Sequence, residues 1–422
     1  MSIGLMCCSI YAAQSYASPI VDELMRDALN INPKNLAVLI DETTQNNPTI
    51  RAARNRWMAE KEVISQARSL PDPKFVGTYF TLVGNNPQEE VLQGLEFLGA
   101  SQDIPFPGKL YRRWQIAKIN ADKADAEYLA LTISIISQLK RKFYDLYFVN
   151  KTMGILKKNQ ILLENLEKKA EERYGSRRAP EQDVFRAQTE MSRFEMRLVS
   201  LQQEQQSLIT DINSIVNRNL DIHVSTPDHL PITFFDHKAE DLNDLIKERS
   251  PHLHVHRKNV EKAKENIKLS KMEYFSDFEI EGEKVRDRRI GAEGYQVVLK
   301  ASIPLYFFDK QNKAVRESVA RYHADLEDFQ NSYQNLGYRV KNAFLIIHRT
   351  NKLIKLLKAS LLPQAKETFL SSQAAYSSGA VDFLTTLNNL LTLQENEIEL
   401  EGEIIKHEKQ ITEIEEALGI FL

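Results

Sequence analysis

"SQDIPFPGKL" (residues 101–110) decides how this 422-residue chain is read. Three turn-forming residues, Pro105, Pro107 and Gly108, stand between an alternating stretch and a long helix-forming run. Proline fixes φ, lacks an N–H and pushes its predecessor out of the α region, so the cluster is a junction where sheet must become helix within a few residues. The arrangement returns in "ASIPLYFFDK" (301–310), where Ile303-Pro304 answers Ile104-Pro105 at an offset of 199.

Outward from the junction, no proline occurs between Pro107 and Pro180, and Lys109 to Tyr174 reads as one helix rich in Ala, Leu, Lys, Glu and Gln. At ~1.5 Å per residue it runs about 100 Å and requires a partner of similar length. Gly175 ends it, Arg177 and Arg178 follow, and Pro180 opens a second helix with Glu181 and Asp183 near its positive end. From there to Arg218, Met191, Phe194, Leu198, Leu201, Leu208, Ile212 and Ile215 keep the spacing of a coiled-coil seam, with Gln205 in its one polar slot. The two runs are expected to fold back as an antiparallel hairpin.

The pattern then restarts. Pro48 in "LIDETTQNNPTIRAARNRW" is answered by Pro251 in "LIKERSPHLHVHRKN", and Tyr174 with Gly175 by Tyr376 with Gly379. Offsets that stay between 199 and 204 across separate landmarks mark an internal duplication. The expected organisation is a first repeat over 18–219 (helix, strands about 74–104, helical hairpin 109–219), a linker over 220–238, and a second repeat over 239–422 (helix, strands about 277–303, hairpin 309–420). The helix before the strands and the one after the turn together match the long helix in length, so they are expected to stack end to end on it. Pro363 falls inside the second long helix and should kink it or remove one backbone bond.

In the strands, Phe278, Ile280 and Gly282 alternate with Glu279, Glu281 and Glu283, while Tyr295, Val297, Leu299, Ala301 and Ile303 oppose Gln296, Lys300 and Ser302. Such ~10-residue strands suit a transmembrane barrel, and a half-buried soluble sheet gives the same alternation. Read as a barrel, Glu279, Glu281, Glu283 and Lys300 face the lumen. Four strands cannot close, and open edges in lipid leave backbone groups unpaired. Three copies give twelve strands, so a homotrimer is the economical arrangement. The fold class expected is mainly α with a small β part: long helical hairpins forming an α-barrel, plus four strands per chain in a shared β-barrel.

Other features bound the function. Net charge is −3, with no basic excess for nucleic acid. Both cysteines, Cys7 and Cys8, lie in an apolar run ending in small residues, read as a signal peptide over 1–17 and an exported protein. No later stretch reaches the ~18 apolar residues of a spanning helix. There is no P-loop, dinucleotide fingerprint, zinc-protease motif or nucleophile elbow, so neither enzyme nor cofactor is indicated. In "PHLHVHRKN", His252 and His256 share a helix face, but two imidazoles without a third ligand make a weak metal site.

"LPDPKF", "QDIPFPGKL", "RYGSRRAPEQDVFRAQTEMSRFE" and "LLPQAKETFLSSQAAYSSGAVDFLTTL" resemble recurring segments of the TolC family of outer-membrane efflux channels. The first two look most like its heavy-metal branch, which serves cobalt-zinc-cadmium and copper-silver pumps. The resemblance implies a trimeric passive conduit, with a twelve-stranded barrel in the outer membrane and a periplasmic tunnel of twelve helices. A periplasmic adaptor joins it to an inner-membrane RND pump. It places a gate at the hairpin tips, here Tyr174, Gly175 and Asp183 with Tyr376, Gly379 and Asp382. Asp183 and Asp382 could form acidic rings on a threefold axis, although an acid in a helix's first turn is favourable on its own account. Channels for drug efflux or type I protein secretion, and a soluble periplasmic coiled-coil adaptor, are the alternatives.

Overall fold

The computed structural model describes residues 33–82, 92–287 and 290–421. The expected signal peptide, with Cys7 and Cys8, lies outside them. Helices α1 (Lys34–Asn46) and α2 (Pro48–Arg68) lead into strands β1 (Lys74–Leu82) and β2 (Leu92–Ile104), then α3 (Lys109–Gly175) and α4 (Gln182–Val216). The second repeat matches it: α5 (Ala239–Arg249), α6 (Pro251–Met272), β3 (Phe278–Asp287), β4 (Ala292–Ala301), α7 (Lys310–Leu356), a π turn at Leu357–Leu361, α8 (Leu362–Ser378) and α9 (Phe383–Leu418). No helix among the described residues is long and apolar enough to cross a membrane.

The single helix expected ahead of each strand pair is two helices. Both breaks fall on the residue before a proline, Asn47 and Ser250, which the proline ring drives to extended backbone. Each breaking residue also caps the next helix: Asn47 Oδ1 accepts from the Thr49 and Ile50 amides at 2.8 and 3.2 Å, and Ser250 from the Leu253 amide. Asn47 Nδ2 donates to the Ile215 carbonyl at 2.7 Å, and Arg218 pairs with Glu42 at 2.7 Å. The end of α1 thus abuts the end of α4. Pro363, unlike Pro48 and Pro251, does not break its helix: the preceding turn at Leu357–Leu361 widens to π, which makes room for the ring.

The chain divides into two compact units, and each draws on both repeats. Among the described residues, one comprises those up to Arg51, Leu129–Leu242 and those from Arg339 on; the other comprises those between Ala52 and Tyr128 and between Asn243 and Tyr338. In the first, Phe143, Leu146, Ile212, Ile354 and Ile404 centre one apolar cluster, and Leu163, Phe194, Phe369, Phe383 and Leu390 another. The α4 seam lies as its spacing requires, with Phe194, Leu208 and Ile212 buried and Gln205 bonded to Asn150 at 2.6 Å. The linker over 220–238 is tied into this unit: Val224 and Leu230 are buried, and Thr233 is bound through its amide and hydroxyl by Glu408, both at 2.8 Å.

The second unit holds the sheet, a four-stranded antiparallel array in the order β1-β2-β3-β4. The central β2–β3 pairing joins the two repeats, with Gly99 opposite Glu283 and Ala100 opposite Gly282. A side chain on Gly99 would meet the Gly282 carbonyl at 2.2 Å, so only glycine permits this register.

Candidate functional site

Residues directly opposite across an antiparallel pair share a face, so the register sorts every strand residue. One face carries Glu279, Glu281 and Glu283, with Lys300 and Gln296 from β4, Asp103 and Ser101 from β2, and Lys74 from β1. Lys300 donates to Glu281 and lies 3.8 Å from Glu279, Gln296 donates to Glu283 at 2.6 Å, and Lys74 pairs with Asp103 at 2.7 Å. The opposite face carries Phe75, Tyr79, Leu98, Ile280, Tyr295, Val297 and Leu299, all exposed, with the three from β4 between 67% and 86% exposed. Toward the β3–β4 turn this apolar band gives way to charge, where Glu293 pairs with Lys284 at 2.8 Å and Arg286 at 3.3 Å.

At the first strand-to-helix junction, Pro107 and Gly108 form the centre of a turn closed by the Lys109 amide on the Phe106 carbonyl at 3.0 Å, and Gly108 takes φ +100 there. Lys109, only 1% exposed, starts the helix with its ammonium 2.9 Å from Asp277, 3.3 Å from Glu273 and 3.3 Å from the Phe275 carbonyl. Asp277 also accepts from the Phe106 amide at 2.7 Å, and the Phe106 and Phe275 rings stack at 4.5 Å. The sequence reading missed this lock, because Lys109 and Asp277 lie in different repeats. Among the described residues the second junction, at Pro304, shows no equivalent. Its following turn ends in exposed aromatic residues.

The two hairpin tips lie in the helical unit and differ. At the second, Gly379 (φ +87) closes α8 with its amide on the Tyr376 carbonyl at 3.1 Å and the Ala380 amide on Ala375 at 2.9 Å. Asp382 then caps α9, accepting from the Thr385 amide at 2.6 Å, a bond that holds its carboxyl below the ordinary range. At the first tip the same closure is made by Arg177, at φ 57: its amide reaches the Tyr174 carbonyl at 2.8 Å and the Arg178 amide reaches Arg173 at 2.7 Å. The expected pairing of Gly175 with Gly379 is therefore corrected. Gly175 is the last helical residue, and the left-handed position belongs to Arg177.

Tyr174 and Tyr376 also part company, one 46% exposed and the other 1%. Tyr376 packs edge-on against Phe383 at 5.7 Å. The Arg173 guanidinium lies 4.7 Å from the Tyr376 ring centre, donates to the Tyr376 carbonyl and reaches the Arg178 carbonyl at 3.3 Å. Arg173 thus ties the end of α3 to both tips. Its Nη2 would stand 3.3 Å from a side chain at position 379, a second reason for glycine there. Asp183 is buried in the first turn of α4, and burial together with the Asp382 charge raises its pKa against the pull of Arg186 and Arg173. Burial and the Asp183 charge likewise raise that of Tyr376. The expected tip residues therefore meet through Arg173, which the sequence reading did not single out; its place three residues before Ser176, beside an arginine-rich turn, was the available signal. His252 and His256 fall in α6, and no group of three or more metal-binding side chains forms among the described residues.

Residues 242–415, less than half of the chain, match the family described as outer membrane efflux protein. The structure is similar to the outer-membrane channel OprN, with a TM-score of 0.82 at 16% identity over 94% of this chain and 92% of that one. It is also similar to the outer membrane protein VceC of Vibrio cholerae, with a TM-score of 0.79 at 16% identity over 92% and 96% of the two chains. CusC, whose transmembrane channel formation has been described structurally, gives 0.80 at 14% identity over 92% of each chain. At these identities the likeness establishes the fold: mainly helical, internally repeated, with one four-stranded antiparallel sheet. No curated protein matches the chain by sequence.

Proposed function

We propose that this chain is one subunit of a homotrimeric outer-membrane efflux channel, a passive conduit from periplasm to exterior. The observation that carries the reading is the two-faced sheet. Each large apolar side chain left in water forgoes ~1.5–3 kcal/mol, and β1 and β4 leave two edges open within the chain. Lipid around the apolar face, with β1 of one copy against β4 of the next, resolves both costs at once. A soluble adaptor has no use for that face. The match of residues 242–415 to outer membrane efflux proteins supports the same reading.

In this arrangement Glu279, Glu281, Glu283 and Asp103, against Lys300 and Lys74, line the lumen with a negative balance that favours cations. The cargo proposed is accordingly heavy-metal cations, supplied by an inner-membrane RND pump through a periplasmic adaptor, and the hairpin tips around Arg173, Asp183, Tyr376 and Asp382 form the periplasmic gate. Reconstitution in planar bilayers tests this. A cation-selective reversal potential in a salt gradient, reduced by Glu281→Gln with Glu283→Gln, is expected. Anion selectivity, or no conductance from protein stably inserted with its gate loosened, would overturn it.

A further inference from the structure

We propose that α2 of one copy lies along α7 of the next, held by an ion pair between Glu62 of one copy and Lys313 of the other. This rests on the trimeric reading above, in which β1 of one copy pairs with β4 of its neighbour. The internal repeat supplies the geometry. Across the central β2–β3 seam, the helix that leaves β2 runs beside the helix that enters β3. Two ion pairs tie them, Arg112 of α3 to Glu265 of α6 at 3.0 Å and Asp122 of α3 to Lys258 of α6 at 3.3 Å. Across a β4–β1 seam between copies the same two places are taken by α7, which leaves β4, and α2, which enters β1. One flank of the chain then meets the opposite flank of the next, the head-to-tail contact from which a closed ring is built.

The repeat landmarks carry those contacts over. Lys109 and Lys310 begin α3 and α7, an offset of 201, and Pro251 and Pro48 open α6 and α2, an offset of 203. Arg112 becomes Lys313, and Glu265 becomes Glu62, within the matching stretches "KENI" (264–267) and "KEVI" (61–64). Cation and carboxylate thus return in the same places. Glu265 is also bound by Lys268 at 2.6 Å, whereas the equivalent position 65 is serine, and neither Glu62 nor Lys313 forms an ion pair among the described residues. Asp122 and Lys258 become His323 and Asn55, which can still share a hydrogen bond. The acids around Lys109, Glu273 and Asp277, become Leu70 and Lys74, so the contact between copies is anchored at Lys313 rather than at Lys310. The sheet gives an independent check. With Ile104 matched to Ile303 and Pro251 to Pro48, the β2–β3 register sets Leu299 opposite Tyr79 and Lys300 opposite Thr78 of the next copy. Leu299 and Tyr79 both belong to the apolar face, and Lys300 and Thr78 to the charged one. A shift by one residue would have crossed the faces.

The test uses the full-length protein extracted in detergent from an outer-membrane fraction and follows the loss of the unheated trimer at one fixed, elevated temperature. Lys313→Glu and Glu62→Lys each place like charges together at three equivalent contacts. A partly exposed pair is worth about two- to five-fold, so each single variant is expected to dissociate about ten- to a hundred-fold faster than wild type. The double variant, with the charges exchanged, is expected to recover most of the loss. Single variants that dissociate like wild type, or a double variant no slower than the singles, overturn the contact while the trimer stands. Glu62→Cys with Lys313→Cys reads the same contact without charge. After a short bismaleimide cross-linker and boiling, a species of three protomers is expected, absent from either single-cysteine variant, and a monomer there overturns the contact too. Wild type extracted as a monomer is a separate result, and removes the trimeric reading on which the proposal stands.

Discussion

Replacing Arg173 by methionine keeps the aliphatic stem and removes the fork that ties the tips together. The structure sets the magnitude. The bond to the Tyr376 carbonyl is charge-assisted and lies against a buried ring; such a bond is worth ~1.5–3 kcal/mol and a partly exposed cation–π contact ~0.5–1. The 3.3 Å bond to the Arg178 carbonyl is exposed and adds little. The Tyr376 carbonyl keeps its bond from the Gly379 amide, so no acceptor is orphaned. The net loss is about 2–3 kcal/mol, or roughly 30- to 150-fold in the equilibrium between the tied and untied tip. Chymotrypsin reports this directly, because Tyr376 and Phe383 are both 1% exposed and become cleavable only when the tip opens. Cleavage should accelerate by about that factor in Arg173→Met, and Arg173→Lys should recover only part, since an ammonium lacks the planar fork. An unchanged cleavage rate in Arg173→Met would refute the tie.

The left-handed Arg177 is strained where the equivalent Gly379 is not, so Arg177→Gly should slow amide exchange at the first tip, by an amount corresponding to ~1 kcal/mol. Asp183 gives a pH signature. Its native pKa is raised above the ordinary 3.8, so the native tip binds the proton more tightly than the unfolded chain, and the protein loses stability as pH rises through that raised value. Asp183→Asn should therefore be the more stable at neutral pH, with the two melting curves converging in acid; parallel curves at every pH would show that burial does not govern this carboxyl. Lys109→Met leaves Asp277 and Glu273 facing each other unneutralised, and because both are partly solvated the cost is ~1–3 kcal/mol. It should appear as a lower temperature of heat dissociation with the hairpin tips still protected from chymotrypsin.

The elements were legible in the sequence where the signal is local. Pro105, Pro107 and Gly108 mark the junction by backbone restriction alone, and the Glu279-Ile280-Glu281-Gly282-Glu283 alternation assigns both sheet faces. The breaks at Asn47 and Ser250 were equally legible, since each precedes a proline, although a single helix was expected ahead of each strand pair. Long-range pairings were not legible. Lys109 meets Asp277 across 168 residues, and Arg173 meets Tyr376 across 203, a full repeat, and nothing in "GKLY" or "EERYG" shows which lysine or arginine will be enclosed. Gly175 does end the helix as read, but nothing in the sequence marked Arg177, two residues on, for the left-handed position that Gly379 holds at the second tip.

In the proposed assembly three copies close one barrel in the outer membrane. The most direct measurement is the oligomeric mass of protein extracted by detergent from an outer-membrane fraction, unheated against boiled. A species of three protomers that needs detergent for extraction and collapses to the monomer on boiling is expected. A monomer recovered in the aqueous fraction without detergent would contradict it.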